Sequence, residues 1–456
     1  MPCYTDCQGD CTRPGLPGRG FAMNYNGTFK YAVVTVSTCL VALLLIGAVL
    51  GQSSDTGPAD PYRHINVFTE VFAKIKADYV EEPDMKNVAL GAINGLLVSI
   101  DPFASYLNAD QYKQYQKTLA DPKAGLGLLL SRKYGYEIGV VDAIPGSPAD
   151  KAGLSTGDIL EAINGISTRD MPLAFADVLL HGEPGSTIEL TVLRLRKPEP
   201  IKMTLTRSVI KAPVLVSKML DKDTGYIAVE DLSAGKAAGV QTAIAALQKQ
   251  GATKLVLDLR HSSLSTPEEG VALANLFLEK GTIASLSGQK VPKKVFEADP
   301  AKTIFKGQMV VLANRGTSGA AEITAAALLE NKRASVVGER TYGDAALRKA
   351  IATEDGGAVL LAVAKYYAPN GKAIQDNSVV PTFAVADAES EAIVDEDDDK
   401  PAKPEVKEPA KQPGEDTILK KGLEVLSGKI VQAANPPVTV HPAEPKVLGP
   451  LNLPQK

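Results

Sequence analysis

The sequence is poor in the residues that build disulfides and metal sites. Its 456 residues include only four cysteines and four histidines. Every cysteine precedes residue 40, so the rest of the chain has no disulfide and no thiol chemistry. The histidines match no common metal-ligand spacing, and we expect neither a metal nor another cofactor. The residues are Cys3, Cys7, Cys11 and Cys39, and His64, His181, His261 and His441.

A strong excess of charge of either sign is also missing. There are 49 Lys and Arg against 53 Asp and Glu, a net charge of −4. Without a basic excess to neutralise phosphates, we expect no binding to nucleic acid. Charged residues make up 22% of the chain and hydrophobic residues 45%, which excludes both a mostly disordered chain and a polytopic membrane protein. At roughly 100–200 residues per domain, the length predicts two or three domains.

One uncharged run near the N-terminus is long enough to cross a membrane. Residues 31–50 are nearly all apolar, and a helix of this length spans about 30 Å. Lys30 precedes the run and Asp55 is the first charge after it, which predicts a cytoplasmic tail at residues 1–30 and an extracytoplasmic bulk. The residues ending at Leu50 form a poor signal-peptidase site, so we expect an uncleaved anchor. Met23 is an alternative start.

The rest of the chain changes character along its length. Residues 60–115 have the apolar periodicity of helices, and residues 120–207 are β-rich and punctuated by glycine. Residues 211–386 alternate apolar strands with helical stretches and, with an amphipathic helix at 416–428, predict an α/β core. Residues 387–416 hold 12 acidic and 4 basic side chains, a net −8, so 387–415 are predicted to be a disordered linker. Residues 436–456 are predicted to be a loose, proline-rich tail.

A glycine loop followed by a second glycine-rich block resembles a PDZ domain. The loop is Gly125, Leu126, Gly127 and Leu128, and the block runs over residues 146–167. Consecutive N–H groups in such a loop can hold the terminal carboxylate of a peptide, which then adds to the neighbouring strand edge. Two alternatives stay open: a small β-domain whose glycines only make turns, and a PDZ fold used for internal regulation.

Motifs on both sides of this domain resemble the carboxyl-terminal processing, or tail-specific, serine proteases. The resemblance covers about residues 60–428 in order and spacing. It implies a multidomain α+β protein with an N-terminal membrane helix, a helical platform, a PDZ β-domain and a crotonase-like α/β protease core. The matching stretches are residues 101–107, 224–233, 254–260, 310–328, 336–344 and 366–375.

Members of that family cut with a serine–lysine dyad, and both positions differ here. The nucleophile stands three residues before a glutamate that corresponds to Glu322, which places Gly319 at the serine position. The lysine position is Asp344, and a glutamine usually found four residues later is Arg348. Glycine has no oxygen to attack with, and a carboxylate does not replace a neutral amine.

The loop that the family uses for its oxyanion hole also departs from the pattern. Where the family has a glycine pair, this chain has Leu264 and Ser265. Side chains there hinder the close backbone approach that an oxyanion donor requires. The resemblance with these departures predicts a member that does not cut peptides.

A displaced catalytic site is the alternative. Ser318 adjoins the nucleophile position and Lys349 follows Asp344, while His261, Ser318 and Asp344 are conceivable as a triad. The structural interpretations are a helix-capping hydroxyl for Ser318 and a polar loop residue for His261.

We therefore expect a single-pass pseudoprotease of the bacterial inner membrane, with most of its chain in the periplasm. Its expected partners are protein C-termini or unfolded segments, and an active homologous protease. The alternatives are an active endopeptidase that uses Ser318 and an envelope assembly or scaffold protein.

Overall fold

The computed structural model describes residue 38 and residues 61–132, 137–194, 197–386 and 416–429. Within this part of the chain, no helix is both long and apolar enough to cross a membrane. The predicted anchor at 31–50 lies outside the described residues except for Thr38. The predicted tail at 1–30, linker at 387–415 and C-terminal tail at 436–456 also lie outside them.

The region predicted to be helical forms three helices and one short strand. Helix α1 belongs to a separate N-terminal unit that ends at Met85. Helix α3 begins with a capping box in which the side chain of Asn108 accepts from the N–H of Gln111 and the Gln111 side chain accepts in return. The elements are α1 (Pro61–Asp78), α2 (Met85–Val98), β1 (Ser105–Leu107) and α3 (Ala109–Ala120).

The predicted PDZ domain is an antiparallel sheet with two short helices. Its strands follow the order β2-β3-β4-β6-β7, with β5 beside β4, so β2 lies at an open edge. Alternating apolar residues such as Leu160, Ile163 and Leu190 point into one buried cluster. The elements are β2 (Leu128–Ser131), β3 (Ile138–Ala143), α4 (Pro148–Lys151), β4 (Ile159–Ile163), β5 (Ile166–Ser167), α5 (Leu173–Leu180), β6 (Thr187–Arg194) and β7 (Lys197–Thr206).

The remaining elements build the predicted α/β core. The strands are β8 (Val216–Met219), β9 (Thr224–Ala228), β10 (Asp231–Leu232), β11 (Lys254–Asp258), β12 (Leu264–Ser265), β13 (Thr282–Ser287), β14 (Lys294–Glu297), β15 (Gln308–Ala313), β16 (Ser335–Gly338), β17 (Ala346–Ala352), β18 (Ala358–Tyr367) and β19 (Phe383–Ala384). The helices are α6 (Lys236–Lys249), α7 (Pro267–Asn275), α8 (Ala320–Glu330), α9 (Ile374–Asn377) and α10 (Thr417–Leu426).

The main sheet of the core has the order β19-β16-β15-β11-β9-β8 and is parallel except for β8. Both faces are covered, as is usual for a parallel sheet, which explains the continuous apolar runs of its strands. Leu255 and Leu257 face the cluster formed with α6, α7 and α8. Val256 faces the opposite side, where Ile418 and Leu426 of α10 close the core. The amphipathic helix predicted at 416–428 therefore completes the core.

A second sheet has the order β1-β18-β13-β14, with β17 also paired to β18. Its antiparallel pairing of β1 with β18 attaches the segment that follows α2 to the core. The loop that follows β16 leads into β17 and carries the predicted lysine position. The end of β15, at Ala313, and the start of α8, through Glu322, contact this loop.

Candidate active site

The predicted nucleophile position lies at the N-terminus of α8. Gly319 is the N-cap residue, with φ +57° and ψ −114°. A positive φ of this kind is easy for glycine and costly for most residues with a side chain. The N-cap therefore falls on Gly319 and not on Ser318, which corrects the expectation that the Ser318 hydroxyl caps this helix.

Glu322 ties the start of α8 to the loop that holds Asp344. Its side chain is fully buried. One carboxylate oxygen accepts from the N–H groups of Gly319 at 3.1 Å and Asp344 at 2.8 Å. The other accepts from the N–H of Gly343 at 2.7 Å and from the hydroxyl of Thr341. Burial outweighs these hydrogen bonds and raises the pKa of Glu322 to about 7.

The hydroxyl of Ser265 occupies the space beside Gly319. A Cβ atom built on Gly319 would lie only 2.6 Å from Ser265 Oγ. The same oxygen accepts a hydrogen bond of 3.2 Å from the N–H of Ala320. The Cβ of any side chain at position 319 would thus lie close to this hydroxyl. The N–H groups of Gly319 and Ala320 already donate to Glu322 and Ser265.

The predicted lysine position forms an ion pair. The carboxylate of Asp344 accepts from Nη1 of Arg348. Arg348 Nη2 donates to Gln375 at 3.2 Å, and Gln375 in turn donates to Asp101 at 3.0 Å. Burial raises the pKa of Asp344, while the neighbouring guanidinium opposes the rise. The guanidinium carbon also lies 4.6 Å from the centre of the Phe103 ring.

The conceivable triad of His261, Ser318 and Asp344 is not formed. Nδ1 of His261 lies 2.9 Å from both carboxylate oxygens of Asp142 on β3, whereas Asp344 is engaged by Arg348. Ser318 is buried, and its backbone N–H donates to the carbonyl of Ser262 at 3.0 Å. Lys349 lies on β17 with an exposed side chain, so it does not provide a buried base.

The loop predicted to bind peptides has the backbone of an anion-binding turn. Gly127 has φ +74°, and its carbonyl accepts from the N–H of Ile144 at 2.8 Å. The carbonyl of Leu126 accepts from Ala149 at 3.1 Å, while Gly125 pairs in both directions with Ser208. Within the described part of the chain, the N–H groups of Leu126 and Gly127 donate to no group. Backbone N–H groups of this kind can donate to a carboxylate.

Leu264 and Ser265, expected in the oxyanion region, form β12 and pair in parallel with β10. This pairing fixes the backbone that carries the Ser265 hydroxyl towards α8. The sequence did not reveal that the Ser265 hydroxyl lies in the space beside Gly319.

Sequence reasoning missed Asp142 and Tyr342. Asp142 contacts His261, and the hydroxyl of Tyr342 donates to the carbonyl of Leu130 at 2.6 Å. Both contacts join the PDZ domain to the core across more than one hundred residues of sequence. Tyr342 lies in the matching stretch 336–344, but nothing in that stretch indicated its partner in the PDZ domain.

Two family models match this chain. Residues 223–385 match peptidase family S41, and residues 139–194 match a PDZ domain. The structure of the photosystem II D1 C-terminal processing protease has the same fold, with a TM-score of 0.58 at 24% identity. That match covers 70% of this chain and 92% of the other. The class is thus a PDZ domain joined to a mixed α/β peptidase core.

Two bacterial proteins with similar sequences identify the family within this class. The chain is 31% identical over 357 residues to the carboxy-terminal processing protease CtpA of Bacillus subtilis. The match covers 77% of this chain and 75% of that relative. It is 30% identical over 343 residues to the carboxy-terminal-processing protease of Bartonella bacilliformis, covering 74% and 79%. This protein belongs to the carboxy-terminal processing protease family. Its PDZ domain implies binding of peptides or protein C-termini.

Proposed function

We propose that this chain is a non-cutting member of its family that acts by binding protein C-termini through its PDZ domain. The observation that carries the proposal is the pair of residues at the two catalytic positions: Gly319 has no hydroxyl, and Asp344 is ion-paired with Arg348. Amide hydrolysis by the family chemistry needs a hydroxyl to attack and an amine to take its proton. Gly319 and Asp344 supply neither.

The polar contacts of the site support this interpretation. Glu322 accepts from Gly319 and Ser265 accepts from Ala320, so two N–H groups at the start of α8 are engaged by this chain itself. Removing one oxyanion donor costs about 10²–10³ in rate, and removing the nucleophile costs more. The carboxylate of Asp344 is paired with Arg348 and cannot take the place of the neutral amine that accepts the proton in the family chemistry.

We further propose that residues 31–50 anchor the chain in a bacterial inner membrane and place the PDZ domain in the periplasm. The uncharged run and the position of Lys30 support this orientation. The partner would be a protein C-terminus, an unfolded segment or an active homologous protease. Such a partner would be held by the carboxylate loop at Gly125 to Leu128 together with the edge of β2.

A proteolysis assay tests the absence of cutting. The purified full chain is incubated with unfolded casein, beside Ser318→Ala and Ser265→Ala variants, and each is also treated with a fluorophosphonate probe. We expect no cleavage and no labelling by any of the three. Cleavage by the wild-type chain that disappears in either variant would overturn the proposal and identify the hydroxyl responsible.

A peptide titration tests the binding activity. Fluorescein-labelled hexapeptides with apolar C-terminal residues are titrated as free acids and as C-terminal amides. We expect the free acids to bind more tightly, because only they present a carboxylate to the N–H groups of Leu126 and Gly127. Equal affinity of the two forms would contradict carboxylate capture.

A further inference from the structure

A peptide would pair with the free edge of β2, but only part of this edge has backbone groups without a partner. Gly127 directs its carbonyl towards β3, where Ile144 donates to it. Backbone groups alternate in direction along a strand, so Leu128 and Leu130 direct theirs to the open edge. Val140, which stands opposite Leu130, donates instead to Asp158 at 2.7 Å, in agreement with this direction.

The carbonyl of Leu130 on this edge is already occupied by the core. The hydroxyl of Tyr342 donates to it at 2.6 Å. The Tyr342 side chain is 4% exposed and packs with Phe103, Val141, Leu129 and Leu173. Leu173 begins α5, the helix beside β2. Tyr342 therefore lies at the end of the groove that is remote from the carboxylate loop.

Tyr342 is held firmly in this place by the degenerate active site. Its N–H donates to the carbonyl of Thr317 at 3.0 Å. The residues on either side, Thr341 and Gly343, both donate to Glu322. Its ring meets Phe103 edge-on with a centroid distance of 5.4 Å. Burial raises the pKa of Tyr342, so its hydroxyl remains a donor at neutral pH.

A bound C-terminus would compete for this carbonyl at a defined position. An antiparallel peptide uses edge groups two residues apart. With its carboxylate at the Gly125 to Leu128 loop, its last residue stands opposite Leu128 and its third-from-last residue stands opposite Leu130. The N–H of that third-from-last residue and the Tyr342 hydroxyl need the same acceptor.

We propose that Tyr342 closes the far end of the PDZ groove, so that the last two residues of a partner bind freely and a longer C-terminus must displace it. This inference rests on the proposed binding of C-termini. Tyr342 then determines how many C-terminal residues of the partner pair with β2. Displacement would also move the segment between Thr341 and Asp344, which connects the groove to α8.

The test compares the wild-type chain with Tyr342→Phe, which removes only the hydroxyl and keeps the ring. We expect a free-acid hexapeptide to bind about three- to tenfold more tightly to Tyr342→Phe, which corresponds to one net hydrogen bond. A free-acid dipeptide should bind equally to both. Tyr226→Phe is the matched control, since it loses a hydroxyl bond of 2.8 Å to Asp258 within the main sheet of the core.

A second measurement does not depend on the stability of the variant. In the same hexapeptide, the amide of the third-from-last residue is replaced by an ester, which removes its N–H. We expect an approximately three- to tenfold loss of affinity in Tyr342→Phe and a smaller loss in the wild-type chain. Equal hexapeptide affinity of the two chains, with the same ester effect in both, would overturn this inference alone. A failure of both chains to bind any free-acid peptide would overturn the proposed function as well.

Discussion

The imidazole of His261 donates through Nδ1 to the carboxylate of Asp142, at 2.9 Å from both of its oxygens. This bond joins the loop that follows β11 in the core to β3 of the PDZ domain. His261 adopts φ +58°, a conformation that costs energy for a residue with a side chain. Its backbone N–H is held by Asn314 at 3.1 Å. The PDZ domain is therefore attached to the core through a residue whose backbone conformation is strained.

Removal of this imidazole should weaken the attachment of the PDZ domain. His261→Ala leaves the buried Asp142 carboxylate without its donor, and we expect a loss of about 1–3 kcal/mol in the free energy of unfolding. Urea denaturation measures it. His261→Asn is the control, because asparagine tolerates a positive φ and retains an amide donor. Equal stability of His261→Ala and the wild-type chain would contradict a role for this bond.

The buried carboxyl of Glu322 predicts a dependence of stability on pH. Its pKa in the folded chain is about 7, above the ordinary value of 4.5. The folded state therefore binds more protons than the unfolded state between these values, and the stability due to this group is lost as pH rises from about 4.5 through 7. The loss amounts to at most about 3 kcal/mol.

Unfolding by urea at pH 5, 6, 7 and 8 measures this dependence. Glu322→Gln is the comparison, because it removes the titrating group while other carboxyls continue to titrate. We expect the wild-type chain to lose more stability between pH 5 and 8 than Glu322→Gln does. Parallel pH profiles of the two chains would show that Glu322 is ionised throughout this range.

Restoring a serine at the nucleophile position should strain the site. In Gly319→Ser, the new Cβ would lie 2.6 Å from Ser265 Oγ. The serine would also have to adopt φ +57°, or the start of α8 would have to change its backbone conformation. We expect destabilisation by about 1–3 kcal/mol, measured by urea unfolding. The double variant Gly319→Ser with Ser265→Gly relieves the contact and should recover part of the loss. If the double variant is no more stable than Gly319→Ser, the destabilisation comes from the backbone conformation and not from the contact with Ser265.

Two glycines of the PDZ domain provide a matched pair for the peptide loop. Both have a positive φ, +74° at Gly127 and +78° at Gly146. A Cβ atom on Gly127 would lie 2.5 Å from the Cβ of Ser147, whereas one on Gly146 meets nothing within 4 Å. Alanine at either position pays the conformational cost of about 1 kcal/mol, but only Gly127→Ala must also move the loop.

We therefore expect Gly127→Ala to lose at least about tenfold in affinity for a free-acid hexapeptide, and Gly146→Ala to keep wild-type affinity. Fluorescence anisotropy with the labelled hexapeptide measures both. A similar loss in the two variants would indicate that general instability of the domain, and not the geometry of the loop, controls binding.

Much of the architecture followed from local patterns. The run from Gly125 to Leu128 indicated the peptide loop, and the positive φ found at Gly127 is one that glycine adopts without steric cost. The apolar runs that form β11 and β15 indicated strands of an α/β core, and residues 416–428 indicated the helix that covers them. The expectation for Ser318 was wrong, since helix capping depends on where the helix begins, and Gly319 with Glu322 provides that start.

The sequence by itself determined the family, the order of the domains and the absence of a hydroxyl and an amine at positions 319 and 344, because these depend on residue type and spacing along the chain. Only the tertiary structure decided what fills the site. Ser265 reaches Gly319, Asp142 reaches His261 and Tyr342 reaches Leu130 across 54, 119 and 212 residues of sequence. Such contacts arise from the packing of whole sheets and helices, which no local pattern of side chains encodes.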